Sequence, residues 1–252
     1  MRPVNKWLPG WVTLSDGSPL KIEEDYHPYR KAKRDLCKNL GLFCSYCEKA
    51  YQDERDLAVE HVQPRKYKDE AGNMPYECLE TKWSNFLISC ATCNGADNKD
   101  TKNVEYGNCH LPHLNNTYLS LKYDKGGVVT VNPDLQGKSR DNAQHLLELV
   151  GLDKGPRNSS DGDKRWMLRK DTWDLAERYL NMYRRQKITL DVLLDLVKAY
   201  GYWSIWFTVF KTCDEVRAAL INEFPGTAQE CFDAQNHYEP VARHPEYLSD
   251  PI

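Results

Sequence analysis

Two Cys-x-x-Cys pairs, Cys44/Cys47 and Cys90/Cys93, constrain this chain more than any other feature. Four thiolates at this spacing match the donor set of a structural tetrahedral zinc site. Zn²⁺ bound there would staple residues 44–93 and supply folding energy to a short, loop-rich segment. The nine cysteines are an odd number, and Met1–Trp7 does not lead into the apolar run of a secretion signal. The chain therefore reads as cytoplasmic, where thiols stay reduced and metal ligation explains regular spacing better than disulfides. Cys37, Cys78, Cys109, Cys213 and Cys231 lack such partners and read as packing residues.

Hydrophobic residues make up 40% of the 252 positions, enough apolar area to exclude a wholly disordered chain. No membrane span is expected, because Asp191, Asp195 and Lys198 interrupt the most apolar stretch, 188–210. The formal net charge of -3 excludes a molecule attracted as a whole to polyanions, so contact with nucleic acid must come from a local patch. Arg65, Lys66 and Lys68 form one candidate. Arg30, Lys31, Lys33, Arg34 and Lys38 form another, although this second set also reads as the solvated face of a helix.

The pattern along the chain predicts an α+β fold in three parts. Residues 1–41 are an N-terminal arm, irregular through Asp25, followed by an amphipathic helix over 28–40 that starts at Pro28 and stops at Gly41. Residues 42–112 contain the cysteine pairs, a strand-like run at Leu57–Val62, a polar loop over 65–82 and a second ordered element from Trp83 into Cys90. Residues 113–252 are mainly helical after a strand at Gly127–Val131, with helices expected near 139–150, 163–185, 189–200, 203–223 and 227–236. Trp203, Trp206, Phe207 and Phe210 read as inter-helix packing there. An exposed share of such rings would make this part a partner-docking region.

Glu60-His61 lies between the cysteine pairs. Alone the dipeptide is weak, since adjacent strand residues face opposite sides; at a strand end the alternation relaxes, and both could face one site. Asn85 precedes the apolar run into Cys90, and Asn94 directly follows Cys93. Taken together, Cys44-Ser45-Tyr46-Cys47, Glu60-His61-Val62-Gln63-Pro64, Asn85 through Cys90 and Cys93-Asn94 resemble the HNH endonuclease family in its zinc-stapled form. The resemblance implies a ββα-metal core in which His61 is the general base and Glu60 and Asn94 hold a catalytic Mg²⁺ or Mn²⁺. It implies that Asn85 orients His61, and that cleavage leaves a 5′-phosphate and a 3′-hydroxyl. DNA is the expected substrate, with RNA as the other candidate.

The chain departs from the family pattern where a lysine usually follows the third motif position after two residues. Here Gly95, Ala96, Asp97 and Asn98 intervene before Lys99. Asp97 and Asn98 read as a solvated helix face, with metal ligation as the alternative, and His110 and His113 read as packed or capping residues. More faintly, the opening Met1–Lys6 and Leu149-Val150-Gly151-Leu152 before a helical tail are similar to the HNH (PtuB-like) subunits of Septu-type anti-phage defence systems. That likeness implies an ABC-family ATPase subunit as partner. The competing reading is a zinc-stapled subunit that binds nucleic acid or protein without catalysis, and it predicts Glu60 and His61 apart.

Overall fold

The computed structural model describes residues 1–155, 162–244, 250 and 252. It is an α+β structure in which helices surround four separate two-stranded antiparallel sheets. The arm opens with a ribbon, β1 (Gly10–Thr13) and β2 (Pro19–Ile22), where the sequence reads as irregular. At the Asp16-Gly17 turn between them, Asp16 Oδ1 accepts from the Ser18 N–H at 2.9 Å, and Gly17 has a φ of 82°. The strands themselves are too short to show a clear alternation.

Helix α1 (Ala32–Leu40) follows a 3-10 turn at Tyr29–Lys31. Ala32, Leu36 and Leu40 recur every fourth residue and are all buried. Gly41 ends the helix at a φ of 79°, donating its N–H to the Cys37 carbonyl at 2.9 Å. Next come β3 (Leu57–His61), β4 (Phe86–Cys90) and the one-turn helix α2 (Ala91–Asn94), an order of strand, strand, helix. Leu57 pairs with Cys90 and His61 with Phe86 across the hairpin.

Helix α3 (Thr117–Ser120) leads into the hairpin β5 (Leu121–Tyr123) and β6 (Val129–Val131). Helices α4 (Gly137–Leu149), α5 (Arg165–Arg184) and α6 (Leu190–Tyr200) lie where the periodicity placed them. The helix expected over 203–223 is two, α7 (Trp203–Val209) and α8 (Asp214–Glu223). Between them Arg217 donates to the Lys211 carbonyl at 3.4 Å, a group that a continuous helix would pair internally. The helix expected over 227–236 is absent. Gln229–Cys231 form a 3-10 turn, and Phe232–Asp233 pair as β7 with β8 (Glu239–Pro240). Asn116 Nδ2 binds the Cys231 and Val241 carbonyls at 2.9 and 2.8 Å, while Phe232 packs 4.9 Å from the Phe207 ring, so tertiary contacts override a helix-compatible composition.

One continuous core draws on all three parts of the chain. Glu48 ties them together. Its carboxylate accepts from the Arg2 N–H at 2.5 Å and from Ser204 Oγ at 2.7 Å, and its carbonyl accepts from the Tyr202 N–H at 2.8 Å. Gly201 makes this approach feasible: a Cβ there would lie 2.3 Å from the Glu48 carbonyl oxygen. The rings of Trp203, Trp206, Phe207 and Phe210 are buried, as packing requires. Among the described residues, no helix is long and apolar enough to cross a membrane.

Candidate metal centre and the adjacent histidine site

Cys44 and Cys47 sit on a knuckle that doubles back through Glu48, whose φ is 64°, so that the Cys44 N–H donates to the Lys49 carbonyl at 3.1 Å. The Ser45 N–H donates to the Ile88 carbonyl at 2.9 Å and fastens the knuckle to β4, which ends at Cys90; Cys93 follows on α2. All four cysteines are buried, and their sulfurs lie within 4.8 Å of one another. Cys47 and Cys90 Sγ are 3.8 Å apart. Four sulfurs about 2.3 Å from a central Zn²⁺ would be separated by about 3.8 Å, so the cluster fits a structural metal such as zinc.

Backbone N–H groups and a guanidinium aimed at the sulfurs favour thiolates here. The Cys90 N–H points at Cys44 Sγ (3.4 Å) and the Cys93 N–H at Cys90 Sγ (3.5 Å). Arg165, at the start of α5, donates from Nη1 to Cys93 Sγ at 3.2 Å and is held by Asp163 at 2.7 Å. Sequence offered no sign of this contact, which spans 72 positions. Of the remaining cysteines, Cys109 and Cys231 are buried as expected, but Cys78 is exposed and is not a packing residue.

Strand alternation persists to the last residue of β3, contrary to the relaxation expected there. Both terminal pairs, Glu60 with Leu87 and His61 with Phe86, remain in register, so the two side chains leave opposite faces of the hairpin. His61 is half-buried on the face of Phe86 and Tyr29, with ring centroids at 5.2 and 4.8 Å. Its Nε2 lies 2.9 Å from the Glu80 carbonyl oxygen and so donates to it, leaving the Nδ1 lone pair free among the described residues. Burial, reinforced by Arg65 and Lys99, holds this imidazole below the ordinary histidine range, against the opposing pull of the Glu80 carbonyl. Arg65 stands at the rim, bonded to Glu80 at 2.8 Å and 5.4 Å from the Tyr29 ring centroid.

Asn85 works one step behind His61. Its Oδ1 accepts from the Gln63 N–H at 2.8 Å, and its Nδ2 donates to the carbonyls of Gln63 (3.0 Å) and Leu79 (3.4 Å). It thereby clamps the end of β3 to the segment whose next residue, Glu80, holds His61. Asn85→Ala should leave these buried backbone groups unpaired and cost about 1–3 kcal/mol, read as a lower urea midpoint at unchanged slope.

Glu60 is 1% exposed, and its Oε1 lies 2.6 Å from Lys99 Nζ. Tyr46 donates to the same oxygen at 3.4 Å, and Lys99 also donates to the His61 carbonyl at 2.8 Å. Burial pushes the Glu60 carboxyl up, and the Lys99 charge opposes that. The four residues before Lys99 let the chain turn inward: the Asn98 N–H donates to the Gly95 carbonyl at 3.0 Å and the Lys99 N–H to that of Cys93 at 3.2 Å. Lys99, fully buried, is therefore a core cation and not an exposed phosphate contact. Removing it as Lys99→Met should strand a buried carboxylate and cost about 3–5 kcal/mol. Pairing the change with Glu60→Gln should recover much of that loss in a double-mutant cycle read by thermal melting.

Asn94 ends α2, partly exposed, and its amide has no hydrogen-bond partner among the described residues. Asn98 is buried, which corrects the solvated-face reading: it donates to the Thr92 carbonyl at 2.6 Å and accepts from Lys154 at 2.8 Å. Asp97 is exposed as expected. His110 is a packed residue, bonded to Ser120 Oγ at 2.8 Å and to Asp250 at 2.9 Å. With Lys99 in place, a divalent cation does not fit beside Glu60, because an ammonium already fills the position at its carboxylate.

No protein-family model matches the sequence, and a search of curated proteins finds no matching relative. Assignment of function rests on the residues themselves.

Proposed function

We propose that this chain is an HNH-type endonuclease that hydrolyses phosphodiester bonds in nucleic acid, with DNA as the first substrate to test. The observation that carries this reading is the setting of His61. It sits at the mouth of a hairpin stapled by a four-cysteine metal site, with one ring nitrogen fixed on a backbone carbonyl and the other free to accept a proton. In this scheme His61 Nδ1 takes the proton from the attacking water, Asn85 keeps the ring in place through the 79–80 segment, and Arg65 offers charge to the phosphate. Mg²⁺ or Mn²⁺ held by Glu60 and Asn94 would stabilise charge on the phosphate and the leaving oxygen. That role requires Lys99 to give up the Glu60 carboxylate. The fainter resemblance to PtuB-like subunits implies an ABC-family ATPase partner in an anti-phage system, and the net charge of -3 is compatible with a partner that presents the polyanion.

A second reading has its own support. The Glu60–Lys99 ion pair, on the face opposite His61, suits a zinc-stapled binding subunit without catalysis. The test incubates zinc-loaded protein with supercoiled plasmid and with RNA, in Mg²⁺, in Mn²⁺ and with neither. Cutting that needs the added cation supports the nuclease. Nucleic-acid binding without cutting under every condition supports the binding subunit.

A further inference from the structure

A cavity of about 520 Å³ opens between the N-terminal segment 5–9, the Trp83-Ser84 turn and the 106–114 region, and it shares no residue with the His61 site. Its volume falls in the range of roughly 300–1,000 Å³ typical of small-ligand sites. Two residues lining it, His113 and Lys6, each lack a partner among the described residues, the first for hydrogen bonding and the second for its charge. Both ring nitrogens of His113 are shielded from solvent and have no hydrogen-bond partner among the described residues. Burial, reinforced by Lys6 and Arg243, keeps that imidazole neutral, so it presents one donor and one acceptor. Groups of this kind are costly to bury unpaired and are normally satisfied by water or a ligand.

The second residue is Lys6. Its ammonium donates to the carbonyls of Trp83 and Ser84 and lies 5.2 Å from the Trp83 ring centroid. Among the described residues no carboxylate comes within ion-pair distance of it, and burial alone pushes it down to about 7. Glu24, at the cavity edge, is engaged by Lys82 at 3.6 Å. Arg243 is bound to Glu230 at 3.3 Å and to backbone carbonyls, so Lys6 is the cation left to meet an anion. Tyr106 supplies an aromatic wall, 46% exposed, with its ring edge-on to His113 at 6.4 Å.

We propose that this cavity binds one nucleotide, its base stacked on Tyr106 and its phosphate at Lys6, with a turn of the His113 ring bringing a nitrogen that is now shielded to the base edge. A planar base with adjacent donors and acceptors answers the imidazole, an anion answers the ammonium, and a base uses the ring face that a bare phosphate or carboxylate would leave idle. The nucleotide is either a free mononucleotide or one residue of a single strand. The proposal stands apart from catalysis.

Calorimetry on the zinc-loaded full chain, with no other divalent cation present, reads binding whether or not the protein cuts. The probes are dAMP, inorganic phosphate and a short single-stranded oligodeoxynucleotide. The expected result is binding of dAMP, weakened about tenfold by Tyr106→Ala at unchanged melting temperature, and weakened also by Lys6→Met, which lowers the melting temperature because the Trp83 and Ser84 carbonyls lose their donor. Absence of dAMP binding, with the same two losses on the oligonucleotide, identifies the strand as the source and also supports the site. The proposal is overturned if neither variant changes binding of either nucleotide probe, if none of the probes binds, or if inorganic phosphate binds as tightly as dAMP. The first two of these outcomes would leave His113 satisfied by water.

Discussion

Cys90→Ser is expected to abolish stoichiometric zinc binding and to unfold the chain at ordinary temperature. Cys90 closes β4, faces Cys47 across 3.8 Å and directs its own N–H at Cys44, so its sulfur belongs to both halves of the staple. Structural zinc contributes an apparent ~10–16 kcal/mol in small finger peptides, against a net stability of roughly 5–15 kcal/mol for a typical domain. Losing one ligand of four therefore threatens the whole balance. The damage should also reach the helical part, because Arg165 at the head of α5 rests on Cys93. Metal analysis per chain and a circular-dichroism melt read the result together. A zinc-free Cys90→Ser protein that melts like wild type would reduce the four cysteines to ordinary packing.

His61→Ala is expected to lower the rate of phosphodiester cleavage by about 10²–10⁴-fold, the usual contribution of a positioned general base. The fold should survive. His61 is half-buried at the hairpin mouth and makes one hydrogen bond, to Glu80, while the strand pairing of β3 and β4 and the cysteine cluster are left whole. Asn85→Ala should also slow cutting, but by loosening the 79–80 segment, and its effect should come with measurable destabilisation. That difference separates a residue that moves the proton from one that positions it.

The elements that sequence made legible are those whose signal is local. The spacing of Cys44, Cys47, Cys90 and Cys93 anticipated a cluster that closes in space. The helical spacing of Tyr29, Ala32 and Leu36 anticipated α1, and Gly41 its end. What escaped was set by distant partners. Lys99 stood out only as a lysine displaced from the family spacing, yet it points inward to Glu60. Arg165 was one of several helix arginines, and only folding sets it on Cys93. The 227–236 segment had a helical composition, but Asn116 takes the Cys231 carbonyl and the aromatic cluster takes Phe232. At Glu60-His61, full pairing of the hairpin end enforced the alternation that a frayed end would have relaxed.

The most direct measurement of the nuclease reading is the nicking rate of supercoiled plasmid in Mg²⁺ or Mn²⁺, for wild type and His61→Ala matched in zinc content and melting temperature. The account predicts that wild type nicks the plasmid and that the variant does so at least about 100-fold more slowly. Equal rates from the two proteins, or an inert wild type that still binds the DNA, would contradict it.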